Sequence, residues 1–190
     1  MLDVLIRRYA SPLFAAPAAR IASFGVGAQS LTAAGFVLGL AALPAIGRRA
    51  YLVGLGVIVL SRLLDFAGEA MERLKPSTRF NAYLGLVLDV VWTASVPFAF
   101  ALGQPDRALA AMFLMLGLVA RCAAVSADAK MNMGQVAQFG AEFIGKAEIF
   151  CAFLLACLFP DWFSIIAYAL GMACFVMTGF CVARSATQRR

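Results

Sequence analysis

Long apolar stretches, separated by short polar turns, make up most of the chain. A membrane's hydrocarbon core is roughly 30 Å thick, and about 20 helical residues are needed to cross it. Six stretches approach this length and are bounded by turn residues such as Gly, Pro, Asp and Lys. They cover residues 29–46, 50–71, 81–101, 108–125, 142–159 and 162–183. The pattern predicts an all-α integral membrane bundle of about six transmembrane helices.

The first part of the chain differs from the rest. Residues 1–28 mix apolar and basic side chains, with Pro12 and Pro17 as breaks. This mixture predicts an amphipathic interfacial helix lying on the membrane. The first residues include Asp3, Arg7 and Arg8 but no apolar core that ends in a small-residue cleavage site, so we expect no cleavable signal peptide. The predicted organisation is an interfacial segment, 1–28, followed by a six-helix transmembrane domain, 29–190.

Composition supports a membrane environment. The chain is 63% hydrophobic and 14% charged, whereas soluble domains carry about 25% charged residues. The net charge of +6 does not come from a dense basic run, so we expect no nucleic-acid partner. Basic residues instead favour the two chain ends and the loop after the second stretch. By the positive-inside rule, we expect a bacterial inner-membrane protein with both termini cytoplasmic.

Ionisable residues lie inside the second and third predicted spans. Asp65, Glu69 and Glu72 follow one another at i, i+4 and i+7, so they share a helical face. Asp89 lies about two turns into the third span, with apolar residues on both sides. A charge at mid-bilayer costs about 2.5–3.5 kcal/mol on insertion scales, so such residues usually face a partner or a polar cavity. Converging carboxylates suit hard divalent cations, while an ion-pair network with Arg62 and Arg73 is the structural alternative.

Two observations exclude other chemistry. The sequence has no histidine, which excludes Ser/His and Cys/His catalysis and histidine-ligated zinc. Its 5 cysteines all lie in apolar stretches. An odd number in such positions indicates buried thiols rather than a set of disulfides.

The acidic helix pair resembles a known signature, D-x2-D-G-x2-A-R followed by G-x3-D-x3-D. Asp65 matches its first aspartate, Arg73 its arginine and Asp89 its last aspartate, while residues 29–35 are similar to the opening of the first helix. The chain thus resembles the CDP-alcohol phosphatidyltransferase family of membrane enzymes. The resemblance implies transfer of a phosphatidyl group from a CDP-linked lipid to an alcohol, with release of CMP. It also implies Mg²⁺ or Mn²⁺ as cofactor, and a homodimer.

The resemblance also assigns roles to residues of this chain. It implies Asp89 as the catalytic base that deprotonates the alcohol. Asp65 and Asp89 would be metal ligands, with Glu69 as a candidate replacement ligand. Arg73 and Thr32 would contact the substrate.

The signature is incomplete, and this leaves three hypotheses. Gly68 and Gly85 stand where two of the four aspartates belong, and Glu69 replaces a motif glycine. An active transferase, a non-catalytic pseudoenzyme or partner subunit of that fold, and a small transporter-like protein all remain open. The missing carboxylates favour the non-catalytic hypothesis over the active one, in which case no cofactor is needed. The acceptor alcohol stays open, as does whether Glu69 or Glu72 replaces the missing ligands.

Other polar residues have simpler interpretations. Lys146 follows Glu142 by four residues, which predicts an interfacial salt bridge. Arg121 and Asp128 are interpreted in the same way. A GxxxG motif in the first span predicts close helix packing.

Overall fold

A computed structural model of the chain describes residues 27–74, 79–130 and 145–187. All regular secondary structure in these segments is helical, and the predicted all-α class is confirmed. Six α-helices follow in order. They are α1 (Ala28–Gly47), α2 (Tyr51–Leu74), α3 (Arg79–Gly103), α4 (Ala108–Lys130), α5 (Lys146–Leu158) and α6 (Phe163–Thr187). Short 3-10 turns, Pro105–Arg107 and Pro160–Trp162, precede α4 and α6. The predicted interfacial helix lies outside the described residues, except for its last two positions.

The helices match the predicted spans closely. Five of the six are long and apolar enough to cross a membrane. The exception, α5, has 13 described residues, or about 20 Å of helix, and the sequence before it lies outside the described part. At its far end α4 continues to Lys130, beyond the predicted boundary at residue 125, because alanines favour helix there.

The outer surface of the bundle is apolar. Large hydrophobic side chains point outward along every helix, with Leu52 74% and Leu109 76% exposed. A water-facing surface of this kind would be a large aggregation site. In lipid these side chains are in their preferred solvent, so the exposure pattern fits membrane insertion.

Helix packing divides the bundle into two closely packed pairs. Helix α1 packs mainly on α2 and α4 mainly on α6, while α3 joins the pairs by packing against α1 and α4. Small residues permit the closest approach in the second pair, since a Cβ on Gly117 would lie 2.8 Å from the carbonyl oxygen of Gly171. Small-residue contacts are typical of membrane helix interfaces, where lipid gives no hydrophobic driving force.

The middle of the bundle is filled by aromatic rings. Phe100 stacks on Phe163 with ring centroids 4.3 Å apart, and Tyr51 stacks on the other side at 5.6 Å. Phe153 packs edge-on against Trp92 at 5.8 Å. Both Phe100 and Phe153 are completely buried. Between the described helices, the middle of the bundle is therefore a packed aromatic core.

One end of the bundle is closed by its loops. Arg49 Nε donates to the carbonyl of Gly103 at 2.7 Å, joining the α1–α2 turn to the end of α3. Gln104 Nε2 donates to the Tyr51 hydroxyl at 2.9 Å. Arg107 Nη1 donates to the carbonyl of Pro160, which joins the α3–α4 and α5–α6 turns. These bonds fix the helix ends at this face of the bundle. The ionisable residues of the second and third spans lie toward the opposite face.

Candidate functional site

A cavity of about 340 Å³ lies near the opposite end of the bundle. Five helices contribute residues to its wall, from the first half of α1, the middle of α2 and α3, the second half of α4 and the start of α5. The described charged residues in the wall are Arg62, Asp65, Asp89, Arg121 and Lys146. The antiparallel helix order thus brings together residues separated by more than 80 positions in sequence.

Arg62 connects the two aspartates of the cavity. Its Nη1 lies 3.0 Å from Asp65 Oδ2, one helical turn further along α2, and 3.4 Å from Asp89 Oδ1 on α3. The Arg62 side chain is only 14% exposed. Pairing of this kind is what allows ionised groups to remain in a poorly solvated site.

The second oxygen of Asp89 also faces a basic side chain. Lys146 Nζ, at the start of α5, lies 3.4 Å from Asp89 Oδ2. The predicted partner of Lys146 was Glu142, which lies outside the described residues. Lys146 is 52% exposed, so one end of the cavity opens toward solvent or lipid headgroups.

Trp92 forms the floor beneath Arg62. The guanidinium carbon of Arg62 lies 3.7 Å from the centre of the indole ring. A cation over a tryptophan face is stabilised by the ring quadrupole, by about 2 kcal/mol or more when desolvated. Trp92 is itself almost fully buried, so the arginine is held between a fixed ring and two carboxylates.

The GxxxG motif of α1 packs directly against this cluster. A Cβ on Gly35 would lie 2.6 Å from Asp65 Oδ1, and a Cβ on Gly39 would collide with the Trp92 ring. Ser61 Oγ donates to the carbonyl of Gly35 at 2.7 Å, which fixes α1 on α2. The predicted close packing is therefore present, and it also positions the side chains of the cavity.

Sequence comparison places the chain among known proteins. It is 32% identical over 165 residues to the inner membrane protein YnjF of Escherichia coli (strain K12), covering 81% of this chain and 80% of that protein. The chain belongs to the YnjF family. No family model matches the chain, and no solved structure matches it. Together with the five membrane-length helices, this relationship supports an integral inner-membrane protein.

The structure brings together three of the five predicted site residues of this YnjF-family chain. Asp65, Asp89 and Thr32 all line the cavity. The side chains of Glu69 and Arg73 lie outside the described part, although the backbone of α2 continues through both positions. The catalytic, metal-binding and substrate-binding roles predicted for these residues stay predictions.

The described residues do not fit a divalent metal centre. Among them, no three His, Cys, Asp or Glu side chains come together as a ligand group. The position between Asp65 and Asp89 is taken by Arg62 Nη1, and the remaining side of Asp89 by Lys146. In this part of the chain the carboxylates are neutralised by basic side chains.

Two glycines occupy positions where the resembled signature has aspartates. Gly85 lies one turn before Asp89, lines the cavity and would meet no atom within 4 Å if a Cβ were added. Gly68 is buried on α2. A larger side chain would therefore meet no neighbouring atom at the Cβ position of Gly85.

Sequence reasoning missed the basic character of the site. Lys146 and Arg121 were interpreted as ordinary salt-bridge residues, yet both line the cavity. Arg62 was considered only as a structural counterion. The available signal was the occurrence of Arg62 and Arg121 inside apolar helices, where a charged residue usually has a partner. Pairing across helices could not be read from spacing within one helix.

Proposed function

We propose that this protein is a membrane-embedded relative of the CDP-alcohol phosphatidyltransferases that binds the phosphate-bearing headgroup of a CDP-linked lipid without transferring its phosphatidyl group. One observation carries the proposal. The two aspartates retained from the signature lie in one cavity, and the described side chains around them already supply their counterions.

The charge balance of the cavity favours an anionic ligand. Arg62, Arg121 and Lys146 line the described wall together with Asp65 and Asp89, which leaves one positive charge in excess. Phosphate oxygens are strong acceptors for guanidinium and ammonium groups. Lys146 is the most accessible of the bases and is placed to receive a headgroup that enters from the membrane surface. The negatively charged pyrophosphate of a CDP-linked lipid would offset this excess.

The same geometry opposes transfer chemistry. A catalytic base must lie within hydrogen-bond reach of the proton it abstracts, and both oxygens of Asp89 already face basic side chains. Gly68 and Gly85 replace two carboxylates of the signature. An active transferase remains the second candidate, because Asp65 and Asp89 do line one cavity.

The core argues against the transporter hypothesis. A transport path needs a polar route to the other face, but Trp92 with Phe153, and Phe100 with Phe163, pack directly beyond the cavity. The polar residues of the far face form loop contacts, such as that of Arg49 with Gly103.

We further propose that the cavity faces the cytoplasm. The loop after α2 and both chain ends carry most of the basic residues, in agreement with the positive-inside rule. The homodimer implied by the resemblance is also part of this proposal, and cross-linking in native membranes would test it.

Lipid binding in nanodiscs tests the proposed ligand. We expect saturable binding of CDP-diacylglycerol and none of diacylglycerol, which lacks the phosphate. Lys146→Gln should weaken binding about threefold to tenfold, because it removes one charge-assisted contact. Arg48→Gln, an exposed basic residue at the far end of α1, is the matched control and should bind normally. Equal binding of both lipids would contradict the proposal.

An activity assay separates the two candidates. Purified protein is incubated with CDP-diacylglycerol, Mn²⁺ and a panel of alcohols, and CMP release is measured. We expect no release above the background of the Asp89→Asn variant. Release that is lost in Asp89→Asn would instead establish the active transferase.

A further inference from the structure

The position of Arg62 relative to the two aspartates resembles that of a bound cation. A divalent metal held by Asp65 and Asp89 would have to lie between their carboxylates, about 2.0–2.6 Å from each liganding oxygen. Arg62 Nη1 occupies that place, at 3.0 Å from Asp65 Oδ2 and 3.4 Å from Asp89 Oδ1. A metal ion and this nitrogen cannot both be there.

Several contacts hold Arg62 in this position. Its guanidinium lies on the Trp92 ring at 3.7 Å, and the ring is fixed in turn against Gly39 of α1. The side chain is mostly buried. Displacement by a metal would remove the cation–π contact and leave the guanidinium without its two carboxylates.

The other basic groups of the cavity also oppose the binding of a divalent cation. Lys146 Nζ lies 3.4 Å from the other oxygen of Asp89, and Arg121 lines the same cavity. A divalent ion would therefore enter beside three basic groups with only two described carboxylates to offset it. Coulomb repulsion at these distances is strong in a poorly solvated site.

We infer that Arg62 replaces the divalent cation in this cavity, making it a metal-independent site for a phosphate-bearing ligand. A metal ion in such a site would bridge the carboxylates to phosphate oxygens. Here the guanidinium neutralises the carboxylates, while Lys146 and Arg121 are the other basic groups facing the ligand. The inference rests on the proposed function for the identity of the anion. The conclusion that the site needs no divalent metal rests only on the contacts of Arg62.

Binding of Mn²⁺ to the purified protein, in the absence of lipid, tests the inference. Electron paramagnetic resonance measures how much Mn²⁺ stays free. The wild type should show no saturable Mn²⁺ binding that depends on Asp89. Arg62→Gln removes the competing charge and should gain Mn²⁺ affinity on the order of 10-fold or more. Adding Asp89→Asn to that variant should abolish the gain.

The wild-type measurement decides the question even if Arg62→Gln fails to fold. Saturable Mn²⁺ binding to the wild type that is lost in Asp89→Asn would overturn the inference. A folded Arg62→Gln variant that gains no Mn²⁺ affinity would overturn it as well. Because no lipid is present, failure here is distinguishable from failure of the proposed lipid binding.

Discussion

At the level of single residues, Arg62 organises the site. It contacts Asp65 on its own helix, Asp89 on the neighbouring helix and the face of Trp92. Removing one partner from a buried pair leaves an uncompensated charge, which costs far more than the pair contributes when intact. The stability of the protein is therefore sensitive to substitution at this residue.

The burial of the Arg62–Asp89 ion pair should determine how much the pair contributes to the free energy of unfolding. Arg107–Asp161 has the same separation, 3.4 Å, but Asp161 is 94% exposed. We expect Asp89→Asn to destabilise the protein by about 1–3 kcal/mol, with a coupling to Arg62→Met of about 0.5–3 kcal/mol. Asp161→Asn should give no measurable change, because exposed pairs are screened. Unfolding in mixed micelles provides the measurement, and equal effects at both sites would contradict the burial argument.

A second residue-level prediction concerns Ser61. Its hydroxyl donates to Gly35 on another helix at 2.7 Å, whereas the Ser95 hydroxyl donates to Val91 on its own helix at 2.6 Å. Ser61→Ala should destabilise the protein by about 0.6 kcal/mol, the average for interhelical bonds in membranes. Ser95→Ala should have little effect, since local back-bonding adds no tertiary contact. The same unfolding assay compares the two, and a larger loss at Ser95 would refute the assignment.

Among the helices, α1 supports the site without contributing a charge to it. Gly35 and Gly39 let its backbone approach Asp65 and Trp92 closely. This contact fixes the wall against which Arg62 packs. The GxxxG motif thus affects the site by letting α1 pack closely, and not by supplying a reactive side chain.

Enlarging Gly39 should disrupt this arrangement. Gly39→Leu places a side chain where the Trp92 ring lies, while Gly56, on the outward face of α2, has no atom within 4 Å of an added Cβ. We expect Gly39→Leu to cost about 1–3 kcal/mol or more and Gly56→Leu to be tolerated. Thermal unfolding with tryptophan fluorescence would show both effects. Similar losses in the two variants would argue against close packing at Gly39.

The sequence predicted the helices far better than the site. Span boundaries follow from apolar length and turn residues, which act locally, so those of α1, α2 and α3 match within three residues, and α6 ends four residues later than predicted. The pairing of Lys146 with Asp89 depends on how α5 approaches α3, and the local spacing suggested Glu142 instead. Asp65 and Asp89 were recognised because intramembrane carboxylates are costly at any position.

Across the whole molecule, the charged cavity and the loop contacts lie at opposite ends. Within the described residues, six helices in alternating directions return the chain to its starting side, so the start of α1 and the end of α6 lie toward the same face of the bundle as the cavity. Basic residues near that face predict a cytoplasmic location.

Reporter fusions test this orientation. A fluorescent protein fused after Arg190 should fluoresce in cells, and alkaline phosphatase at the same place should be inactive. Asp106→Cys, in the loop at the far end, should react with a membrane-impermeant maleimide from outside the inner membrane. The reverse pattern would place the cavity on the opposite side.

The central claim is that the cavity binds a phosphorylated lipid without a metal ion. The most direct measurement is the affinity of wild-type protein in nanodiscs for CDP-diacylglycerol, determined once in EDTA and once in excess Mg²⁺. We predict affinities that agree within a factor of about two. Binding that appears only with Mg²⁺, or that is about tenfold tighter with it, would contradict the account.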